Sequence, residues 1–150
     1  FGEICDMASK ETIPSLVDCN DDGFLAPESM IQAVKDYCRK EGQQVPETPA
    51  QLGAVIYNSL AKCYGQTIEE LEQAVKAHYS QIHIVGGGAN ADYLNHLTAK
   101  YTKRPVYAGP TEATAIGNLT AQMIRAGEYK SLTEARDAIF KSFEIKKYEP

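Results

Sequence analysis

The chain has 150 residues, a net charge of -5 and 43% hydrophobic residues, enough for one core of ordinary size and too short for two. The acidic balance and the scatter of the basic residues argue against a nucleic-acid surface, which needs clustered Lys and Arg. No apolar run approaches the roughly 20 residues of a membrane helix, and the four cysteines, Cys5, Cys19, Cys38 and Cys63, form no C-x-x-C pair and read as free thiols of a cytoplasmic protein.

The opening from Phe1 is acidic and loop-like, with no cap of its own, and suggests a piece of a longer protein. Asp18 to Leu25 follows the start of a calcium loop, with oxygen ligands at Asp18, Asn20 and Asp22 and a glycine at Gly23. The closing bidentate Glu is missing, however: Ser29 holds that position, and Pro14 and Pro27 interrupt the flanking helices. The alternative is a solvated turn capped by Asx side chains.

Pro27 suits a first helical turn, Met30, Ile31, Val34 and Cys38 recur at helical spacing, and Gly42 supplies a left-handed stop. Thr48-Pro49-Ala50-Gln51 is a capping box with proline at the first helical position. It opens a long helix whose apolar face runs through Leu52, Val55, Ile56, Ser59, Leu60, Cys63, Tyr64, Ile68, Leu71 and Val75, with Gly65 as its weak point.

Ile82-His83-Ile84-Val85 then runs into Gly86-Gly87-Gly88, which reads as a central buried strand ending in a glycine turn. Consecutive glycines let backbone amides reach a ligand with no Cβ in the way, and a helix opening behind them would add free N–H groups and a positive dipole end. That combination makes a shelf for a nucleotide. Tyr93, Leu94, Leu97, Thr98 and Tyr101 mark the helix, and Pro105-Val106-Tyr107 a second strand, giving a βαβ unit with parallel strands.

After Gly109-Pro110, Thr111 can cap a helix of small residues, Ala113, Ala115, Gly117 and Ala121, suited to close packing and ended by Gly127. Ser131-Leu132-Thr133-Glu134 is a second capping box, opening a helix with Ala135, Ile139, Phe140 and Phe143.

Gly86, Gly88 and Ala91 also fit the dinucleotide fingerprint G-x-G-x-x-G/A, but the ribose-binding acid expected about 20 residues on is replaced by Tyr107-Ala108-Gly109. A Walker loop fails because no Lys-Ser or Lys-Thr follows the glycines. A tight turn without a ligand is the plain structural reading. His78, His83 and His96 lack metal-ligand spacing, and Glu112 is explained by a helix dipole. Asn118 either is buried and hydrogen-bonded or faces a ligand. No catalytic residue can be assigned from spacing, and no metal site.

The segments His83 to Gly88 and Ala108-Gly109-Pro110-Thr111-Glu112-Ala113-Thr114-Ala115-Ile116-Gly117-Asn118, with Asn20 to Phe24, Pro27 and Met30 upstream, resemble the C-terminal part of the FGGY family of carbohydrate kinases. The likeness covers nearly the whole chain. It implies an α/β, actin-like and ribonuclease H-like ATPase domain, partial over residues 1–150, with a βαβ unit and several flanking helices. It also implies a partner N-terminal kinase domain of the same chain across a cleft that takes ATP, Mg²⁺ and a ketose. Carried over by position, Gly87 is the ATP-binding residue, with Gly86 and Gly88 beside it and Asn90 as a further cofactor-binding candidate. The catalytic aspartate and phosphate-binding turns are expected upstream of Phe1, which leaves the fragment alone inactive.

Overall fold

A computed structural model describes residues 2–150. Helices α1 (Gly2–Ala8), α2 (Met30–Lys40) and α3 (Pro49–Val75) precede β1 (Ile82–Ile84), α4 (Asp92–Thr102), β2 (Val106–Ala108), α5 (Ala113–Ala126), α6 (Leu132–Ser142) and β3 (Lys146–Tyr148). The result is a mixed α/β unit.

Both capping boxes form, each with its reciprocal bond one residue further out than the simplest version. Thr48 Oγ1 accepts from Gln51 N at 3.1 Å while Gln51 Oε1 accepts from Glu47 N at 3.0 Å. Ser131 Oγ accepts from Glu134 N at 3.2 Å and Glu134 Oε2 accepts from Lys130 N at 2.7 Å. Helix α2 is capped by Ser29, so Pro27 lies ahead of the helix and not in its first turn. Gly42, at φ 66°, follows it in the left-handed region, as expected.

Val34, Cys38 and Val55 form a buried cluster with Ile13, Val17, Phe24, Val45, Leu52 and Ile56 packed around it. The second buried face of α3 is made of small residues. Gly53 lets α1 approach, since a Cβ there would stand 3.2 Å from Ala8 Cβ, and a Cβ on Gly65 would stand 3.1 Å from the Tyr101 carbonyl oxygen of α4. Gly65 is therefore a crossing point between two helices inside an unbroken helix, and not the weak point its helix propensity implies. Leu71 and Val75, by contrast, are exposed.

Strands β1 and β2 pair in parallel, His83 opposite Tyr107, and β3 adds antiparallel to β2 with Lys147 opposite Tyr107. The order β1-β2-β3 makes β2 the central strand, and β1 lies at one side of the described sheet, where the sequence pattern placed it at the centre. The reason is β3, a short segment of two lysines and a tyrosine that carries no apolar alternation and whose pairing comes from β2.

Arg104 closes the far end of the βαβ unit. Its guanidinium donates to Glu72 Oε2 at 2.7 Å, to the Tyr79 carbonyl at 2.7 Å and to the Thr102 carbonyl at 2.6 Å. Glu72 also accepts from Tyr79 N at 2.8 Å and stands 3.0 Å from His78 Nδ1. The Tyr79 amide, then Arg104 and His78, hold the Glu72 carboxyl below the usual range against the opposing effect of burial.

Candidate nucleotide-binding turn

The two parallel strands end side by side, and the turns that leave them make one surface. Gly86–Asn90 folds as a single 3₁₀ stretch, and α4 begins only at Asp92. The glycines are thus a separate turn, and the first amides of α4 lie beyond it. This differs from the helix opening directly behind the glycines that the sequence suggested. It also departs from the dinucleotide fingerprint, because Ala91 caps the helix from outside where the third fingerprint position should help pack it.

The candidate residues part company here. Gly86 holds φ 75° and its amide donates to the Pro110 carbonyl at 3.1 Å, so it is spent on the turn itself. A Cβ on Gly88 would reach Ile84 Cγ2 at 3.5 Å. Gly87 is exposed, has no positive φ, and a Cβ there would meet nothing within 4 Å. Gly88 is exposed as well, but Gly87 is the one of the three at which an added Cβ would meet only open space. Asn90 is exposed, its Oδ1 is 3.5 Å from Thr111 Oγ1, and it opens onto a cavity of about 620 Å³ shared with Cys5, Tyr93 and His96.

The second turn, Gly109 to Glu112, lies against the first. Gly109 N donates to the Ile84 carbonyl at 2.8 Å. Thr111 does not cap α5, which starts at Ala113 with Glu112 in the cap position and no side-chain cap bond. The small residues Ala115, Gly117 and Ala121 are exposed, so the packing expected of them is not made by any described residue. Asn118 is exposed too and donates to the Thr114 carbonyl at 3.2 Å, which rules out the buried alternative.

Beneath the glycine turn sits a residue that no sequence motif marks. Asn95 is 1% exposed, and its Nδ2 donates to the Ala89 carbonyl at 3.1 Å and to the Gly88 carbonyl at 3.4 Å. Its sequence signal is a polar residue among Leu94, Leu97 and Thr98 on the inward face of α4. Asp92, at the start of the same helix, accepts from the Tyr148 hydroxyl and from Lys146 Nζ at 3.1 Å, tying β3 to the turn. The Tyr148 bond first, and the ammonium of Lys146 next, hold the Asp92 carboxyl down; burial and the same bond push the Tyr148 phenol up.

The other sequence candidates are accounted for locally. Asp18 Oδ1 accepts from Asn20 N at 3.0 Å and Asp21 Oδ1 from Gly23 N at 2.7 Å, the Asx-turn alternative to a calcium loop. His83 stacks on Tyr107 with ring centroids 5.4 Å apart. All four cysteines are free thiols. Among the described residues no three His, Cys, Asp or Glu side chains converge as a metal site, and no helix is long and apolar enough to cross a membrane.

The chain belongs to the FGGY family of carbohydrate kinases, matching its C-terminal domain over residues 6–126, a span that includes the parallel strand pair and the glycine turn. Among similar proteins are a rhamnulokinase of Bacillus subtilis, 44% identical over 100% of this chain, and one of Halalkalibacterium halodurans, 40% identical over 99%. A rhamnulokinase of Pectobacterium atrosepticum is 41% identical over 96% of the chain. The chain spans about a third of the length of these relatives, 31%, 32% and 30% respectively.

Proposed function

We propose that this chain is the adenosine-side, nucleotide-binding domain of an ATP-dependent sugar kinase that phosphorylates L-rhamnulose to L-rhamnulose 1-phosphate. The observation that carries the ATP site is Gly87, a backbone open to solvent at the carboxyl end of two parallel strands, where ligands of open α/β sheets bind. The sugar assignment follows the similarity to rhamnulokinases, with fuculose or xylulose as the nearest other ketoses. On this reading residues 1–150 are the C-terminal part of an actin-like, ribonuclease H-like ATPase fold, working in the cytoplasm against an N-terminal kinase domain of the same protein.

Phosphoryl transfer is mainly positioning and charge stabilisation around the γ-phosphate with Mg²⁺. Gly87, flanked by Gly86 and Gly88, approaches the nucleotide through its backbone, and Asn90 borders the same surface. The base that takes the sugar hydroxyl proton and the turns that hold the phosphates and Mg²⁺ belong to the rest of the protein. The fragment alone therefore stays at background in a coupled ADP-release assay with ketoses. A non-catalytic dinucleotide-binding module is the rival, and titration with ATP and with NADH separates the two.

The decisive test is Gly87→Val in the full-length protein. The added side chain takes the space of the ligand, and loss of one good contact, about 1 to 3 kcal/mol, corresponds to roughly a 5- to 150-fold higher KM for ATP. The KM for the sugar should change little. The residue meets nothing within 4 Å and has no positive φ, so the variant should melt close to the parent. A variant with unchanged melting and unchanged ATP affinity would make the turn purely structural.

A further inference from the structure

We infer that Asn95 is a positioning residue for the nucleotide site: its buried amide holds the Gly88 and Ala89 carbonyls and thereby fixes where the Gly87 backbone presents itself. The inference rests on the reading that the glycine turn binds ATP.

A glycine triplet has more conformational freedom than any other three-residue stretch, and a turn meant to offer backbone groups to a ligand loses affinity if it must be ordered on binding. Something outside the triplet has to limit that freedom. The turn has two anchors at its start: Gly86 N on the Pro110 carbonyl at 3.1 Å and, just ahead of it in β1, the Ile84 carbonyl on Gly109 N at 2.8 Å. At its end, Ala91 N donates to the Gly88 carbonyl at 3.1 Å. Among the described side chains the middle is held by Asn95 alone, through bonds of 3.1 Å to Ala89 and 3.4 Å to Gly88.

Asn95 is itself fixed. It lies in the first turn of α4, its own backbone amide donates to the Ala91 carbonyl at 2.9 Å, and its side chain is closed off from water. A buried amide group must be paired, and here the pairing points to the back of the ligand-facing turn. The Gly88 and Ala89 carbonyls are taken up by Asn95, whereas Gly87, just ahead of them, is exposed and a Cβ on it would meet nothing within 4 Å. Asp92 and Tyr148 brace the same helical turn from β3.

The test compares Asn95→Leu and Asn95→Asp with Gly87→Val in the full-length protein, measuring KM for ATP and for the sugar, melting, and amide hydrogen exchange of residues 86–91. The aspartate keeps the shape and, assayed at a pH high enough to ionise it in this buried setting, cannot donate. The expected result is about a tenfold rise in the KM for ATP for both Asn95 variants, a sugar KM within about twofold, and faster exchange confined to the turn. Lowering the pH, which protonates the introduced carboxyl and restores one donor, should recover ATP affinity in Asn95→Asp and not in Asn95→Leu.

If Gly87→Val raises the ATP KM while a folded Asn95→Asp variant does not, this inference fails and the nucleotide site stands. If none of the three variants changes it, the site reading fails and takes this inference with it. Equal rises in both KM values would assign Asn95 to general stability and overturn the positioning role. Should Asn95→Leu not fold, the pH-dependent recovery of Asn95→Asp decides alone.

Discussion

Replacing Gly65 with valine tests the claim that α3 and α4 are packed backbone to backbone. On helix propensity alone the change should be mildly favourable, because valine is better than glycine inside a helix by a few tenths of a kcal/mol. Packing opposes it. The new Cβ would sit 3.1 Å from the Tyr101 carbonyl oxygen and 3.5 Å from its carbon, and the two further methyls are stiff about χ1 in a helix. The obstacle is backbone near the end of α4, not the tip of a side chain, so the helices must move apart. Overpacking of this kind costs about 1 to 3 kcal/mol, and the propensity gain is too small to offset it. Gly117 supplies the internal reference, since it is also inside a helix but a Cβ there meets nothing within 4 Å. Urea melts should place Gly65→Val about 2 kcal/mol below Gly117→Val, or about 4 to 8 °C in melting temperature. Stabilities of the two variants within about 0.5 kcal/mol of each other would mean that the crossing is loose and the close approach has no energetic weight.

Glu72 gives an acid-side prediction. Its folded pKa lies below the 4.5 of a free carboxyl, so its contribution to stability is complete above that value and is lost as the pH falls through the lower folded one. Glu72→Gln should flatten the acid limb of a stability-versus-pH curve below about pH 4.5, and an unchanged limb would show that the carboxylate does not matter. Arg104→Lys should destabilise by more than about 1 kcal/mol in urea, because an ammonium cannot serve Glu72 and the carbonyls of Tyr79 and Thr102 in the fork geometry of a guanidinium. A neutral Arg104→Lys would reduce the cluster to a surface ion pair.

The parts of the fold that were legible in the sequence are those set by local chemistry. Thr48 to Gln51 and Ser131 to Glu134 announce their helices because the capping atoms lie within four residues of one another. Ile82 to Ile84 and Val106 announce parallel strands through apolar runs bounded by glycine and proline. What was not legible depends on partners far along the chain. The opening reads as loop-like in the sequence, yet Gly2–Ala8 is helix α1, and its Ala8 packs against Gly53 far along the chain. Strand β3 is identified by Tyr148 and Lys146 reaching Asp92 across more than 50 residues, and it shifts the centre of the sheet from β1 to β2. At the site, the triplet was visible but not the division of labour inside it. Only the φ of Gly86 and the empty space at Gly87 separate a residue that shapes the turn from one that can meet a ligand. Asn95 escapes a motif reading because its partners are six and seven residues earlier in an irregular stretch, a spacing that no helical or strand pattern marks.

The bonds from Gly109 N to Ile84, from Gly86 N to Pro110 and from Thr111 to Asn90 cross between the turns that leave β1 and β2. The two turns consequently share one set of allowed lengths. A residue inserted into either would pull three cross-links out of register at once, whereas among the described residues the stretches before α2 and between α5 and α6 carry no such bracing to the sheet ends. A change in chain length is therefore costly at this edge of the molecule, where the two turns act mechanically as one part.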